Sequence, residues 1–261
     1  MSQLRARVYS TEAIPLRRMD YGEADRIITV LTPFQGKVRL LAKGVRRPTS
    51  RMAGHIELFN HTQLQLARGR DLEILSQAAT IASFRGIRDN VVKAAQAFHL
   101  AELTDGFLLD GDAHLEVFNL LLWSLARLSE DEFAPEFIAR FFELHLLSAV
   151  GFHPGLQTCL RCQTNIEPGA NGYSVFLGGV VCPLCAPIVP DASPVGSDAL
   201  KLLRFLQRTS RDSLRVVHVA SPVLSEAEWL MRRHLEFALE RKLRATDFVR
   251  RAMESAPAYI R

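Results

Sequence analysis

The chain has 261 residues, is 48% hydrophobic and 23% charged, and carries a net charge of +4, enough apolar content for real cores in one large or two to three small domains. No stretch approaches the roughly twenty uninterrupted apolar residues of a membrane span; the best, 118–126, is broken by Asn119 and Ser124. Residues 1–7 run straight into charge without the apolar segment of an export signal, so a reducing cytoplasm is the expected compartment.

Charge is divided by block. Residues 1–80 hold thirteen Lys/Arg against seven Asp/Glu (+6), and residues 81–158 hold five against eleven (−6). Residues 159–195 are near neutral (−1), and residues 196–261 hold thirteen against eight (+5). Basic ends suit a polyanion partner, and the acidic middle suits a protein-facing surface.

Taken from the N-terminus, the chain predicts five strands, at 5–15, 26–32, 37–42, 55–66 and 72–83. Turn signals separate them at 20–22, 33–36, 47–54 and 68–71. With no helix long enough for a parallel crossover, five strands in about eighty residues favour a small barrel, and the OB-fold is the commonest such barrel that holds polyanions.

From about residue 88 the apolar period becomes helical. A helix is expected over 91–109, ended by Asp110-Gly111. Val117, Leu120, Leu121, Ser124, Leu125 and Leu128 form a stripe behind Asp112 as N-cap, and Phe137, Phe141, Leu144 and Ser148 continue the pattern after Pro135. A further helix is capped by Ser197 or Asp198 and runs through Leu206. Ser225-Glu226-Ala227-Glu228 has capping-box spacing for a last helix bearing Trp229, Leu235 and Leu239.

All four cysteines lie in two pairs, Cys159-Leu-Arg-Cys162 and Cys182-Pro-Leu-Cys185, in a segment at 156–192 flanked by helical sequence. Two residues between paired thiols and a hairpin-length spacer favour one structural Zn²⁺ held by four thiolates, with no open position for catalysis. Two disulfides, or one redox pair beside a spare, are the alternatives, and a reducing compartment disfavours structural disulfides. The expected fold is therefore α+β and multidomain. It comprises an OB-fold barrel (1–83), a helical domain in two parts (84–155 and 193–261), and an inserted four-cysteine zinc module (156–192).

Between Arg26 and Glu57 there is no acidic residue, while seven basic ones occur: Arg26, Lys37, Arg39, Lys43, Arg46, Arg47 and Arg51. The last four lie in Lys43-Gly44-Val45-Arg46-Arg47-Pro48-Thr49-Ser50-Arg51, where small residues let backbone amides approach phosphates. Phosphate binding by these seven is the expected activity, against a solvated basic loop as the plainer alternative. Tyr21 and Phe34, in turns, are candidate stacking platforms or barrel-end covers. Arg232, Arg233, Arg241, Lys242, Arg244, Arg250 and Arg251 make a second basic set, read equally as a solvated face or a second nucleic-acid contact.

Enzymatic readings are weak. His114-Leu115-Glu116 upstream of Cys159-x-x-Cys162 superficially resembles a zinc-dependent nucleobase deaminase, but Thr158 stands where that pattern has proline and the second cysteine pair is unexplained. Phosphate-loop, dinucleotide, nucleophile-elbow and H-E-x-x-H motifs are absent from the sequence. A zinc-ribbon interaction module of the transcription or translation machinery is the other competing class.

Tyr21-Gly22-Glu23-Ala24-Asp25-Arg26-Ile27-Ile28-Thr29-Val30-Leu31-Thr32-Pro33 resembles the opening of the bacterial RecO repair family. So do Gly36-Lys37, Ala42-Lys43-Gly44-Val45-Arg46-Arg47-Pro48, Leu64-Gln65-Leu66 with Arg70-Asp71-Leu72, Phe152-His153-Pro154 and Gly178-Gly179-Val180-Val181-Cys182. The resemblance implies a non-enzymatic, nucleoid-associated recombination mediator with an N-terminal OB-fold, a helical domain and, in some members, a zinc module. It implies binding of single- and double-stranded DNA, strand annealing, and loading of RecA with RecR onto strands covered by single-strand-binding protein. On this chain it places the basic OB surface at Lys37, Arg39, Lys43, Arg46, Arg47 and Arg51, and the Zn²⁺ ligands at Cys159, Cys162, Cys182 and Cys185.

Overall fold

A computed structural model describes residues 8–255; the expected strand start at Arg5 and the last six residues lie outside them. Five strands, β1 (Val8–Tyr21), β2 (Asp25–Thr32), β3 (Gly36–Ala42), β4 (His61–Ala67) and β5 (Glu73–Ala82), close into a barrel in the order β1-β2-β3-β5-β4. All pairings are antiparallel except β3 with β5, which is the connectivity of an OB-fold. Alternate residues point inward, so Ile28, Val30, Leu40, Ala42, Leu64, Leu66 and Leu75 form one buried cluster.

Two strand limits differ from the sequence expectation. β1 does not stop at Pro15: the register with β2 shifts between Pro15 and Arg17, and the strand continues past this irregularity to Tyr21. Conversely, the fourth strand begins at His61, because Ala53–Ile56 forms a 3₁₀ turn that sends Ile56 into the barrel core. Phe59 at φ 68° completes that change of direction.

By contacts, residues to Asn90 group with Ala101–Ser129 in a first unit, and Val91–Leu100 groups with residues from Glu130 onward in a second. The first unit adds the single turn α1 (Arg85–Arg88), the C-terminal part of α2 (Val91–Phe107) and α3 (Leu115–Ser129) to the barrel. Close backbone approach explains part of this grouping. A Cβ on Gly36, at φ +64°, would lie 2.1 Å from the Asp112 carbonyl oxygen, and the Gly111 N–H donates to the Lys37 carbonyl at 3.0 Å.

In the second unit, α4 (Pro135–Ala149) is buried on nearly every side. It packs with α5 (Ser197–Arg208) and α6 (Ser221–Ala238). The chain then forms α7 (Ala245–Ser255), which seats Val249 and Ala252 against Val92 and Ala95 at the start of α2. Between α4 and α5 lie three short strands, β6 (Gly172–Ser174), β7 (Gly179–Val181) and β8 (Ser193–Pro194), in the order β7-β6-β8. The last-helix expectation is corrected in two ways. Pro222 opens α6 one turn before Ser225, which makes the capping-box residues interior. The helix ends at Ala238, so Leu239 is its C-cap and not an interior position, and Glu240, at φ 53°, turns the chain away.

Candidate nucleic-acid interface and metal centre

The loop after β3 is held in place by the turn between β1 and β2. The Gly44 N–H donates to Asp25 Oδ1 at 2.7 Å, the Arg46 N–H donates to the Ala24 carbonyl at 2.9 Å, and Val45 is buried beneath them. With its backbone pinned, the loop presents Lys43, Arg47 and Arg51 to solvent, and Arg39 is exposed on the outer face of β3. None of these four has a carboxylate partner among the described residues.

The other three expected cations behave differently. Arg26 Nε donates to Asp20 Oδ1 at 2.9 Å, and Arg46 Nε lies 3.4 Å from Asp20 Oδ2. The hydrogen bond from Arg26, with Arg46 and Arg18 nearby, holds the Asp20 carboxyl below the usual carboxylate range. Lys37 is the most enclosed of the three. Its side chain is only 8% exposed, and its ammonium donates to the Asp105 carbonyl at 2.6 Å and carboxylate at 3.1 Å, with Asp110 at 3.5 Å. A cation so bonded has its field cancelled locally.

Tyr21 and Phe34 are both exposed, 52% and 70%, but the barrel separates them. Tyr21 ends β1 beside the turn that docks the Lys43–Arg51 loop. Phe34 lies in the opposite turn, the length of β3 away, roughly 23 Å at ~3.3 Å per residue. Arg70 is an exposed cation outside the expected set. It lies in the β4–β5 loop, and because β5 starts alongside Leu40 and runs parallel to β3, that loop lies toward the Gly36 side of β3 and away from the Lys43 end.

In the second unit, all four cysteines converge, their sulfurs lying within 4.8 Å of one another. Cys162 Sγ and Cys182 Sγ are 3.7 Å apart, close to the ~3.8 Å that a tetrahedral site with Zn–S bonds of ~2.3 Å requires. The Cys182 N–H donates to Cys159 Sγ at 3.3 Å, and Thr164 Oγ1 lies 3.1 Å from Cys162 Sγ. The bond to Thr164 pulls the Cys162 thiol down to about 6, while burial and the neighbouring sulfurs push Cys185 up to about 12. Four thiols that cannot all ionise beside one another fit a dication, which would stabilise every thiolate at once. Gly179 packs so tightly on Gly155 that a Cβ would meet its carbonyl at 2.1 Å. That contact and the Gly155–Gly178 hydrogen bond brace the module's hairpin.

Two family models match the chain: recombination protein O N-terminal over residues 5–84, and recombination protein O C-terminal over residues 88–247. The chain belongs to the RecO family. Relatives bearing the name DNA repair protein RecO include one from Roseiflexus sp. (strain RS-1), 39% identical over 94% of this chain and 86% of its own length. Another, from Dehalococcoides mccartyi (strain ATCC BAA-2100), is 35% identical over 91% of this chain and 93% of its own. A third, from Symbiobacterium thermophilum, is 32% identical over 93% and 96%. RecO relatives thus align with both the barrel and the helical unit. None of the helices formed by the described residues is long and apolar enough to cross a membrane.

Proposed function

We propose that the protein is a non-enzymatic mediator of recombinational DNA repair in the cytoplasm, and that the Lys43 end of its barrel holds single- and double-stranded DNA. The observation that carries this reading is the convergence of Lys43, Arg47 and Arg51, without carboxylate partners among the described residues, on a loop pinned by Asp25 and Ala24. Tyr21 extends the same end, and Arg39 adds an exposed cation midway along the outer face of β3. Exposed cations displace the counterions condensed on DNA, and an exposed ring accepts an unstacked base. Holding phosphates of two strands screens their repulsion, so that complementary strands anneal. Arg26 and Arg46 serve by fixing the loop through Asp20, and Lys37 is assigned to the fold.

By family membership, the partners are RecR and single-strand-binding protein, with RecA loaded as the outcome. The acidic residues of 81–158 are the part of the chain that faces protein. Four sulfurs at tetrahedral spacing support one Zn²⁺, held by Cys159, Cys162, Cys182 and Cys185 as a structural staple. The test is annealing of complementary oligonucleotides by a Lys43, Arg47 and Arg51 charge-reversal variant with an unchanged melting temperature. Loss of both binding and annealing supports the assignment; unchanged binding at physiological salt refutes it.

A further inference from the structure

Three phenylalanines of the second unit are held in water by hydrogen-bonded backbone. Phe152, Phe176 and Phe237 are 52%, 74% and 50% exposed, and all line one cleft of about 800 Å³ with Leu160, Val175 and Leu177. The rings of Phe176 and Phe237 meet edge to face, 6.4 Å between centroids. Their exposure is built in. The Phe176 N–H donates to Asp191 Oδ2 at 3.0 Å, the Leu177 N–H to Ser174 Oγ at 3.0 Å, and Ser174 Oγ to Asp191 Oδ1 at 2.6 Å. The Phe152 carbonyl accepts from His234 Nε2 at 3.0 Å. Converging apolar side chains fixed in solvent mark a contact surface.

The polar lining gives the occupant's charge. Glu236 and Glu240 line the cleft, and none of its described lining residues is Lys or Arg. His234 is buried, with Nε2 3.0 Å from the Phe152 carbonyl and Nδ1 2.8 Å from the Tyr173 hydroxyl, partners that a neutral ring satisfies by donating at Nε2 and accepting at Nδ1. Its burial lowers its pKa in the same sense. His153 is exposed, and Arg241 and Lys242, which follow Glu240, are exposed outside the lining. One Glu236 oxygen accepts the Leu243 N–H at 3.2 Å, which leaves Glu240 as the carboxylate open to a ligand.

Aromatic faces beside a carboxylate recognise a weakly hydrated planar cation, which stacks on rings and bonds the carboxylate at its edge. We propose that this cleft is a protein-docking site for an arginine flanked by apolar residues on a partner protein, its guanidinium lying against Phe176 and Phe237 with Glu240 as counter-charge. The site uses none of the residues assigned to DNA and stands independently of that reading.

The test titrates acetyl-Phe-Arg-Leu-amide into the ¹⁵N-labelled full chain, beside its citrulline analogue and the acidic peptide acetyl-Asp-Asp-Phe. Amide shifts confined to residues 151–155, 175–178 and 236–240, with at least tenfold weaker binding of the citrulline peptide, support the site. Phe176→Ser and Glu240→Gln, both at exposed positions, should each weaken the arginine peptide several-fold. Equal binding of the citrulline peptide, preference for the acidic peptide, shifts elsewhere or no binding overturns it. Because the citrulline comparison uses the unaltered chain, it decides the matter even where a variant fails to fold.

Discussion

The barrel cations make a quantitative prediction about salt. Each phosphate neutralised on single-stranded DNA contributes about −0.7 to the slope of log affinity against log salt. Seven contacts would contribute roughly −5. Lys37 is buried on Asp105, and Arg26 and Arg46 are held by Asp20, so Arg39, Lys43, Arg47 and Arg51 contribute about −2.8 instead. Between 50 and 200 mM salt that is about a 50-fold loss of affinity attributable to these four, or ~2.6-fold for each. Differences between variant and parent isolate this share from contacts made elsewhere. Fluorescence anisotropy with a labelled single strand should therefore show each Ala substitution at these four positions flattening the slope by about 0.7, and the quadruple variant by about 2.8. Lys37→Met should leave the slope unchanged while lowering the melting temperature, since Asp105 loses its buried partner. A folded Lys37→Met protein whose slope flattens as much as that of Arg47→Ala would refute the reasoning, because the Lys37 charge would then reach DNA despite its carboxylates.

Other consequences follow from the same geometry. Tyr21→Ala should weaken single-strand binding by about 1–3 kcal/mol, the value of one base stacked on an aromatic ring, whereas Phe34→Ala leaves it unchanged in the same anisotropy assay. Atomic absorption should find one zinc per chain; Cys159→Ser should abolish it and speed hydrogen exchange across 156–192, while single-strand affinity stays within about twofold. In α4, burial raises the Glu143 pKa, but Arg140 and His99 outweigh it and hold the carboxyl below its ordinary 4.5. That stabilisation is present above pH 4.5 and is lost as pH falls through the lowered folded value. Glu143→Gln should therefore cost about 3–5 kcal/mol in urea unfolding at pH 7, a gap that narrows in acid. Gly179→Ala drives a Cβ into the Gly155 backbone and should destabilise by roughly 1–3 kcal/mol, seen as a lower melting temperature.

What was legible in the sequence is what local pattern controls. Alternation in Gln63-Leu64-Gln65-Leu66 and the apolar stripe from Val117 to Leu128 reappear as β4 and α3, because one buried face imposes each period. The cysteine pairs were legible because two-residue spacing constrains chemistry directly. Pro15 misled in one direction and Ser225 in another. A proline reads as a strand end unless an irregular register absorbs its missing N–H, and a capping box reads as a start unless an earlier proline has opened the helix. The break at Glu240 was hidden because a positive φ in a glutamate has no composition signal, and with it α7 was hidden as a separate element.

The acid-free run shows that sign along a chain is not a field in space. Lys37 lies only six residues before Lys43, yet β3 carries the two to opposite ends of the barrel. At the far end Lys37 meets Asp105 and Asp110, sixty-eight and more residues later in sequence, and Gly36 lies against the backbone of Asp112. Six residues of strand, roughly 20 Å at ~3.3 Å per residue, equal about two Debye lengths of about 10 Å at 0.1 M salt, so the carboxylates at one end act only weakly on Lys43 at the other. On the proposed reading the barrel is thus polar along its strands, with the cations that lack carboxylate partners at the Lys43 end and Lys37 enclosed by Asp105 and Asp110 at the other. Nothing in the spacing of Lys37 and Lys43 announces this division. It arises because a strand of seven residues is long compared with the distance over which salt lets charges act.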